Sequence, residues 1–381
     1  MDGKHTTERI DTVVIGAGQA GLAAGYHLAR RGVPFVILDA DPRVGDHWRE
    51  HWDSLRLYSP AWADSLPGLR FPASRYHYPS GREMGDYLEA YATKFDLPVI
   101  SGTHVDSVRP AEGPDGGFIV TAGDRRFEAA HVVLATGAFN RPQVPAFARE
   151  LDTAINQLHS SEYRNPAQLR DGPVLVVGVS HSGADIAYES ARTHPTLLAG
   201  HAHSELPFRV IDTWRAWIGW PLVLFVQSHL LTMRTPIGRK MAPFVRTGGG
   251  PLLRIRSGDL ARAGVERRDG RVTGVTDGKP TLADGEVLDV ANVVWCTGFR
   301  PDYRWVEVPD FVGDDGWPKG PRGVVESAPG LYFLGVPFMY GFTSMLVAGA
   351  GRDAKFVVDR IAEGARGTAA ARGMAPASVA R

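Results

Sequence analysis

Short apolar runs alternate with glycine turns and helical stretches along the first part of the chain. The run over 13–15 is β-branched and leads through a glycine-rich turn into a predicted helix over 22–29. An Arg-Gly pair ends that helix, and the next strand-like run, 35–38, is followed by Asp39. Continuous apolar runs of this kind are typical of buried parallel strands. The pattern therefore predicts an α/β fold built on a parallel sheet.

Three glycines in the first turn carry the spacing of a dinucleotide-binding fingerprint. Gly16 permits the tight turn, Gly18 allows the backbone to approach a pyrophosphate, and Gly21 allows close packing of helix on strand. The helix N-terminus presents free N–H groups to the phosphates. Asp39 follows at the position where a carboxylate accepts hydrogen bonds from ribose hydroxyls. All elements occur in the required order, so this segment predicts a dinucleotide site.

A second copy of the pattern begins at the apolar run 174–177 and passes through a turn that ends at Gly183. Ser180 replaces the middle glycine there, so its small hydroxyl is expected to join the backbone in contacting phosphates. Two alternatives are a strand–turn–helix without a ligand and a serine nucleophile turn. The Gly-x-Ser-x-Gly pattern of a nucleophile turn is not present.

The ribose position of the second copy holds His201, at the offset where the first copy has Asp39. A carboxylate there would repel a ribose 2′-phosphate, so its absence favours NADPH over NADH. His203 and Arg209 are nearby candidates for the missing arginine, and an exposed loop histidine is the alternative for His201. The predicted contacts of this second site are Gly178, Ser180, Ser182, Gly183, His201 and Arg209.

Each copy closes with an apolar strand and a Thr-Gly pair, Thr136 and Gly137 in the first and Thr297 and Gly298 in the second. The two copies have nearly the same length from first glycine to closing glycine. Two nucleotide-binding units of this kind imply two dinucleotides. The economical assignment is FAD in the first unit and a nicotinamide cofactor in the second.

Composition and charge remove several other classes of function. Lys plus Arg and Asp plus Glu are both 42, so no basic excess points to nucleic acid. Cys296 is the single cysteine, which excludes an internal disulfide and a Cys-x-x-Cys redox pair. The His-x-x-Glu-His pattern at 47–51 would suit zinc, but it overlaps a segment assigned to the flavin below, so no metal is predicted.

The start of the chain is polar, and the longest apolar run, 217–226, is interrupted by Gly219 and Pro221. This run is far shorter than the roughly 20 residues of a membrane span, so a soluble cytoplasmic enzyme is expected. The wider stretch 214–231 is aromatic and apolar. It predicts a buried helix pair, with a substrate tunnel lining or a patch that contacts a membrane or partner as alternatives.

Several further motifs resemble the flavin-containing monooxygenases and their Baeyer–Villiger relatives, which carry two dinucleotide-binding domains. The resemblance covers residues 10–362. Its motifs are Gly-Asp-His-Trp at 45–48, the segment 52–57, the Thr-Gly linkers at 136–137 and 296–302, the strand at 330–335, and the helix start at 341–346. A family fingerprint is half preserved, because His159 and Tyr163 match whereas Thr153 and Ile155 replace a phenylalanine and a glycine.

The resemblance implies that the FAD site uses residues from several of these motifs. Val105 would contact adenine through its backbone from a strand over 104–108, and His159 would link the domains by a hydrogen bond. Arg56 is a candidate for proton transfer, with an arginine paired to a structural carboxylate as the alternative. The implied FAD contacts are Gly16, Gly18, Gly21, Asp39, Trp48, Arg56, Val105, Thr136, Gly137, Gly335, Ser344 and Met345.

The implied architecture is two Rossmann-like domains, with an NADPH-binding domain over 165–290 inserted into an FAD-binding domain formed by 1–160 and 290–381. The implied activity is oxygenation of a small, apolar organic substrate by NADPH and O₂ through a flavin hydroperoxide, at nitrogen, sulfur or a ketone. A reductase or dehydrogenase that passes electrons to another acceptor is the alternative. A homo-oligomer is compatible with these features.

Overall fold

The computed structural model describes residues 6–112, 116–139, 141–201, 205, 214–247 and 249–371. The strands are β1 (Thr6–Ile15), β2 (Phe35–Leu38), β3 (Val99–Ile100), β4 (Ser107–Pro110), β5 (Phe118–Ala122), β6 (Arg125–Leu134), β7 (Arg141–Pro142), β8 (Asn156–His159), β9 (Val174–Val177), β10 (Thr196–Ala199), β11 (Glu266–Arg268), β12 (Val272–Thr276), β13 (Lys279–Leu282), β14 (Asn292–Trp295), β15 (Phe299–Arg300) and β16 (Leu331–Phe333). The helices are α1 (Gln19–Arg31), α2 (Asp46–Arg49), α3 (Gly81–Lys94), α4 (His181–Ser190), α5 (Trp214–Phe225), α6 (Pro236–Thr247), α7 (Ser257–Arg262) and α8 (Val347–Ala371).

The first sheet has the strand order β3-β2-β1-β6-β5-β4, and β16 also pairs with β6. β1 pairs in parallel with β2 and β6, and β16 continues the parallel arrangement, whereas β4, β5 and β6 form an antiparallel meander. Val13 and Val14 are completely buried, as expected for a central strand with helices on its faces. Helices α1 and α8 pack together beside this sheet.

The second sheet is parallel throughout and has the order β11-β10-β9-β14-β8. Its central strand β9 is fully apolar, and all four of its residues are buried. Strands β8 and β14 belong to this sheet, although the predicted boundaries place Asn156–His159 and Asn292–Trp295 outside the second unit. We therefore propose that the second unit begins before Asn156 and ends after Trp295.

The chain crosses between the two sheets through a short antiparallel pair. Arg141 in β7 pairs with Arg300 in β15, so the outgoing and returning segments lie side by side. The exchange of the chain at two neighbouring points is the arrangement expected when one nucleotide-binding unit is inserted into another. The mixed α/β fold with parallel sheets confirms the predicted fold class.

Two local expectations are wrong. β4 begins at Ser107, so Val105 lies in the loop before it rather than within a strand over 104–108. Ser344 and Met345 belong to a 3₁₀ turn, Phe342–Met345, and the long helix α8 begins only at Val347. Extended backbone at Leu346 separates the turn from α8, which delays the helix start.

Residues 214–247, here named the α5–α6 segment, form α5, a π-helical turn (Val226–Leu230) and α6. The prediction of a buried helix pair over 214–231 is wrong, because Leu222, Phe225 and Leu230 expose 64%, 53% and 44% of their surface. Trp220 in α5 is buried and packs against Trp62 and Tyr78. None of the helices described here is long and apolar enough to span a membrane.

Candidate dinucleotide and active site

The first glycine turn joins β1 to α1 and is held by the backbone of neighbouring strands. Gly16 has a φ of +105°, and a Cβ placed on it would lie 2.6 Å from the Ala135 carbonyl oxygen. A Cβ on Gly21 would lie 1.8 Å from the Gly16 carbonyl oxygen, so helix and turn touch backbone to backbone. A Cβ on Gly18 would meet no atom within 4 Å. The fold requires glycine at Gly16 and Gly21, whereas nothing in the protein itself requires it at Gly18.

The second turn repeats this geometry closely. Gly178 has a φ of +114°, and its added Cβ would lie 2.3 Å from the Cys296 carbonyl oxygen. The added Cβ of Gly183 would lie 1.8 Å from the Gly178 carbonyl oxygen, the same separation as in the first turn. The Ser180 hydroxyl lies 3.5 Å from the Gly250 carbonyl oxygen, to which it donates. Ser182 is half-buried in the first turn of α4.

Both helix N-termini at these turns suit a bound pyrophosphate. In the described coordinates, no side chain caps α1 at Gly18 or α4 at Ser180, so N–H groups of the first helical turns lack intrahelical partners. The positive end of each helix dipole lies at the glycine turn that precedes that helix. The open space at Gly18 and these uncapped N–H groups fit a dinucleotide cofactor at each turn.

Asp39 lies directly after β2 and is tied to the first turn. Its carboxylate accepts hydrogen bonds from the backbone N–H of Ala17 and, at 2.9 Å, from that of Asp41. Burial raises the pKa of the Asp39 carboxyl, and the two backbone donors oppose this shift. The ribose acid predicted from the sequence is therefore anchored beside the glycine turn.

The C-terminal ends of β1, β6 and β16 meet at this turn. Gly335 follows β16 with a φ of +76°, and its added Cβ would lie 3.4 Å from Ala20 and 3.8 Å from the Gly137 Cα. Thr136 is exposed beside them. The buried Ser344 hydroxyl accepts hydrogen bonds from the backbone N–H groups of Tyr340 and Gly341 at 3.1 and 3.2 Å. Met345, the next residue, is half-buried.

Two predicted flavin contacts occupy different surroundings. Trp48 in α2 packs against the hydrophobic cores of both units. Arg56 is half-exposed and forms an ion pair with Glu83, with Nη1 and Oε2 3.2 Å apart. Arg56 therefore has a carboxylate partner of the kind named in the alternative to proton transfer. Val105 is buried in the loop before β4.

A buried polar cluster, which the sequence analysis missed, joins the two units. The Tyr58 hydroxyl donates to the Asp185 carboxylate at 2.9 Å, and the Arg254 guanidinium binds the same carboxylate with Nη2 2.8 Å from Oδ2. Arg254 also donates to the Ser54 carbonyl oxygen at 3.0 Å. Burial raises the pKa of Asp185, with Arg254 opposing the shift, and burial raises the pKa of Tyr58 well above its usual value. No local sequence pattern connects these distant residues.

The region of the second ribose contains an arginine that was also missed. His201 is exposed after β10, and Arg209 lies outside the described residues. Arg267, in the neighbouring strand β11, donates from Nη2 to the Gly200 carbonyl oxygen at 3.1 Å. Its Nη2 also pairs with the Asp269 carboxylate at 3.2 Å, and its Nη1 is buried and has no hydrogen-bond partner in the described structure. The parallel pairing of β10 with β11 brings this side chain to Gly200, the residue before His201, although the two are far apart in sequence.

His159 ends β8 and contacts the returning linker. Its Nε2 lies 3.1 Å from the Gly298 carbonyl oxygen, and its Nδ1 lies 2.9 Å from the Ser161 hydroxyl. Burial lowers the pKa of the imidazole, so a neutral ring that donates to Gly298 is the favoured state. This geometry agrees with a linking rather than a proton-transfer role. No group of three metal-binding side chains occurs in the described parts of the chain.

Comparison with known proteins identifies the family. The sequence model for the pyridine nucleotide-disulphide oxidoreductases matches residues 13–206. An uncharacterized CzcO-like oxidoreductase of Geobacillus kaustophilus is 37% identical over 353 residues, which cover 92% of this chain and 98% of the relative. The chain belongs to the pyridine nucleotide-disulphide oxidoreductase family.

Other proteins similar to this oxidoreductase are named monooxygenases. A probable indole-3-pyruvate monooxygenase of Arabidopsis thaliana, YUCCA3, is 28% identical over 92% of this chain and 86% of its own length. The solved flavin-containing monooxygenase of Stenotrophomonas maltophilia has a TM-score of 0.74 and 28% identity over 94% of this chain and 99% of its own. The protein is an enzyme with FAD and NADPH as cofactors. With one cysteine in the whole sequence, this oxidoreductase has no intramolecular cysteine pair for disulfide exchange.

Proposed function

We propose that this oxidoreductase is a monooxygenase that uses NADPH and O₂ to oxygenate a small, apolar organic substrate. The observation that carries the proposal is the pair of equivalent glycine turns, at Gly16 and Gly178, in a chain without a cysteine pair. Two dinucleotide sites provide for hydride transfer, and the missing cysteines remove disulfides as the internal electron acceptor. The likeness to flavin monooxygenases over almost the whole chain supports O₂ as the acceptor.

In this proposal the first turn binds FAD and the second binds NADPH. The α1 N-terminus would hold the FAD pyrophosphate above Gly18, and Asp39 would accept the ribose hydroxyls. The α4 N-terminus would hold the NADPH pyrophosphate, with Arg267 and His201 at the 2′-phosphate. FAD supplies the chemistry of hydride acceptance and oxygen activation when it is bound.

The protein's own residues supply orientation and exclusion of water. The Asp185–Arg254 pair fixes α4, which carries the NADPH turn, against the loop that holds Ser54 and Tyr58. A second contact joins α5 to the same loop, where the Trp220 indole donates to the Tyr78 hydroxyl at 2.8 Å and packs on Trp62. These aromatic side chains would favour an apolar substrate, and the contacts that hold α4 and α5 to this loop would keep the two cofactors in position for hydride transfer.

The test is isotope incorporation by the purified holoenzyme. We expect one atom of ¹⁸O from labelled O₂ in the product of an amine, a thioether or a ketone substrate, with NADPH consumed in proportion. The Gly18→Val variant, which should lack FAD, is the matched control and should form no product. If label enters no product while electrons pass to an added acceptor under anaerobic conditions, the enzyme is a reductase or dehydrogenase instead.

A further inference from the structure

The α5–α6 segment carries most of the exposed large hydrophobic side chains of the described residues. Ten large hydrophobic side chains are exposed in the described residues, and seven of them lie between Leu222 and Phe244. Along α6, Ile237, Met241 and Phe244 recur at helical spacing and face solvent, whereas Ala242 is buried. Single exposed hydrophobic residues are normal on a protein surface, but a concentration of this kind marks an interaction site.

The charge of the same segment has one sign. Residues 213–258 contain no Asp or Glu, although the whole chain is neutral. Arg234, Arg239 and Lys240 are exposed between the apolar side chains, and no carboxylate in the described structure pairs with them. A helix with an apolar stripe beside basic residues is typical of segments that lie in the interface of an anionic membrane.

The inner face of the segment is already occupied, so the apolar face cannot simply fold inward. The N–H of Met233 donates to the Tyr340 carbonyl oxygen at 2.9 Å, and the Phe342 N–H donates to the Leu231 carbonyl oxygen at 2.8 Å. Arg246 forms an ion pair with Asp315 at 3.0 Å on the body of the protein. These contacts fix which face of the segment remains outward.

We propose that the outward face of the α5–α6 segment docks on the surface of an anionic lipid bilayer. Ile237, Met241 and Phe244 enter the interface, and Arg239 and Lys240 bind the lipid phosphates. A symmetric dimer through this face is disfavoured, because an isologous interface would set the same unpaired cations against each other. Anionic lipid supplies both the apolar phase and the opposite charge. The proposal concerns location and does not depend on the oxygenation reaction.

The test is cosedimentation of the full-length holoenzyme with vesicles of phosphatidylglycerol and phosphatidylcholine in equal amounts. We expect binding that weakens with added salt and is at least about tenfold weaker on pure phosphatidylcholine, as for a surface with several basic residues. Ile237→Ser with Phe244→Ser, and separately Arg239→Gln with Lys240→Gln, should each reduce binding about tenfold or more. Retained FAD absorbance would show that each variant is folded.

Val144→Ser with Val287→Ser is the matched control, because these residues are exposed to 42% and 43% elsewhere on the surface. This variant should bind vesicles like the wild type. The proposal would be overturned if the wild type did not bind the vesicles, or if the α6 variants bound them as strongly as the wild type. A dimer in light scattering that dissociates in the Ile237→Ser, Phe244→Ser variant, without vesicle binding by the wild type, would assign the face to a second copy of the chain instead.

Discussion

The carboxylate of Asp185 and the guanidinium of Arg254 lie 2.8 Å apart, and their side chains are 1% and 17% exposed. Arg254 reaches the Ser54 carbonyl oxygen from the same position, so the pair joins the helix of the second glycine turn to a loop of the first unit. Two buried charges in contact are stable only together, because removal of one leaves the other desolvated and uncompensated.

The substitution Asp185→Asn should therefore destabilise the protein strongly. We expect a loss of about 3–5 kcal/mol in the free energy of unfolding, because Arg254 would remain buried without its counter-charge. Urea unfolding followed by fluorescence measures this loss. Lys355→Gln is the control, since its exposed pair with Asp359 should contribute less than about 1 kcal/mol. Equal losses in the two variants would contradict a structural role for the buried pair.

The substitution Gly18→Val should separate cofactor binding from folding. A Cβ added at Gly18 meets no protein atom within 4 Å, so the variant should fold, but the valine methyl groups would occupy the space proposed for the FAD pyrophosphate. We expect wild-type protein to be yellow and the variant to be colourless with an unchanged circular dichroism spectrum. Gly274→Val, at another open glycine, should remain yellow. A yellow Gly18→Val protein would refute the site.

The substitution Arg267→Gln should weaken NADPH specifically. Loss of a charged hydrogen bond to the 2′-phosphate should raise the KM for NADPH about tenfold or more and leave the KM for NADH nearly unchanged. Stopped-flow reduction of the flavin by each nucleotide measures the effect. Arg268→Gln is the control, because Arg268 pairs with two carboxylates, Glu266 and Glu286, whereas Arg267 pairs with one, the 82% exposed Asp269. Equal losses with both nucleotides would place Arg267 outside the phosphate site.

His201→Arg provides the converse change at the same site. A planar guanidinium, which is always charged and can bind phosphate through two N–H groups, should bind the 2′-phosphate better than an imidazole, so the preference for NADPH over NADH should widen. The ratio of the two reduction efficiencies is the measurement. An unchanged ratio would indicate that His201 does not face the ribose.

The burial of Asp64 leads us to expect that the stability of the protein depends on pH. It is 2% exposed, its Oδ1 accepts from the Ser59 hydroxyl at 2.6 Å, and its Oδ2 has no partner in the described structure. Burial raises the pKa of Asp64 to about 7, from 3.8. The folded state therefore binds this proton more tightly than the unfolded state, so the free energy of unfolding falls as pH rises from about 4 to about 7.

The Asp64→Asn variant should lack this dependence and should gain stability relative to wild type across that range, by up to about 4 kcal/mol above pH 7. Urea unfolding at a series of pH values tests this. Asp310→Asn, at an 86% exposed carboxylate, is the control and should follow the wild-type curve. Parallel curves for wild type and Asp64→Asn would show that Asp64 ionises normally.

The sequence by itself determined the α/β class, the two glycine turns and the position of Asp39. These features depend on local signals, because a buried strand needs a continuous apolar run, and only glycine fits where an added Cβ would lie 1.8 Å from a backbone carbonyl oxygen. The succession of strand, glycine turn, helix and strand predicted from each repeat is therefore present at β1-α1-β2 and β9-α4-β10. The nearly equal lengths of the two copies likewise reflect one supersecondary unit used twice.

Only the tertiary structure decided which distant residues meet. Asp185 and Arg254 form an ion pair although they are 69 residues apart in sequence, and Arg254 donates to Ser54, from which it is separated by 200 residues. Arg267 joins Gly200 through the pairing of β10 with β11, and β8 and β14 enter the second sheet against the predicted boundaries. The apolar stretch in 214–231 could be buried or exposed, because hydrophobicity drives burial without specifying the surface that provides it. Composition and spacing describe each segment alone, whereas these contacts depend on how the segments are arranged in space.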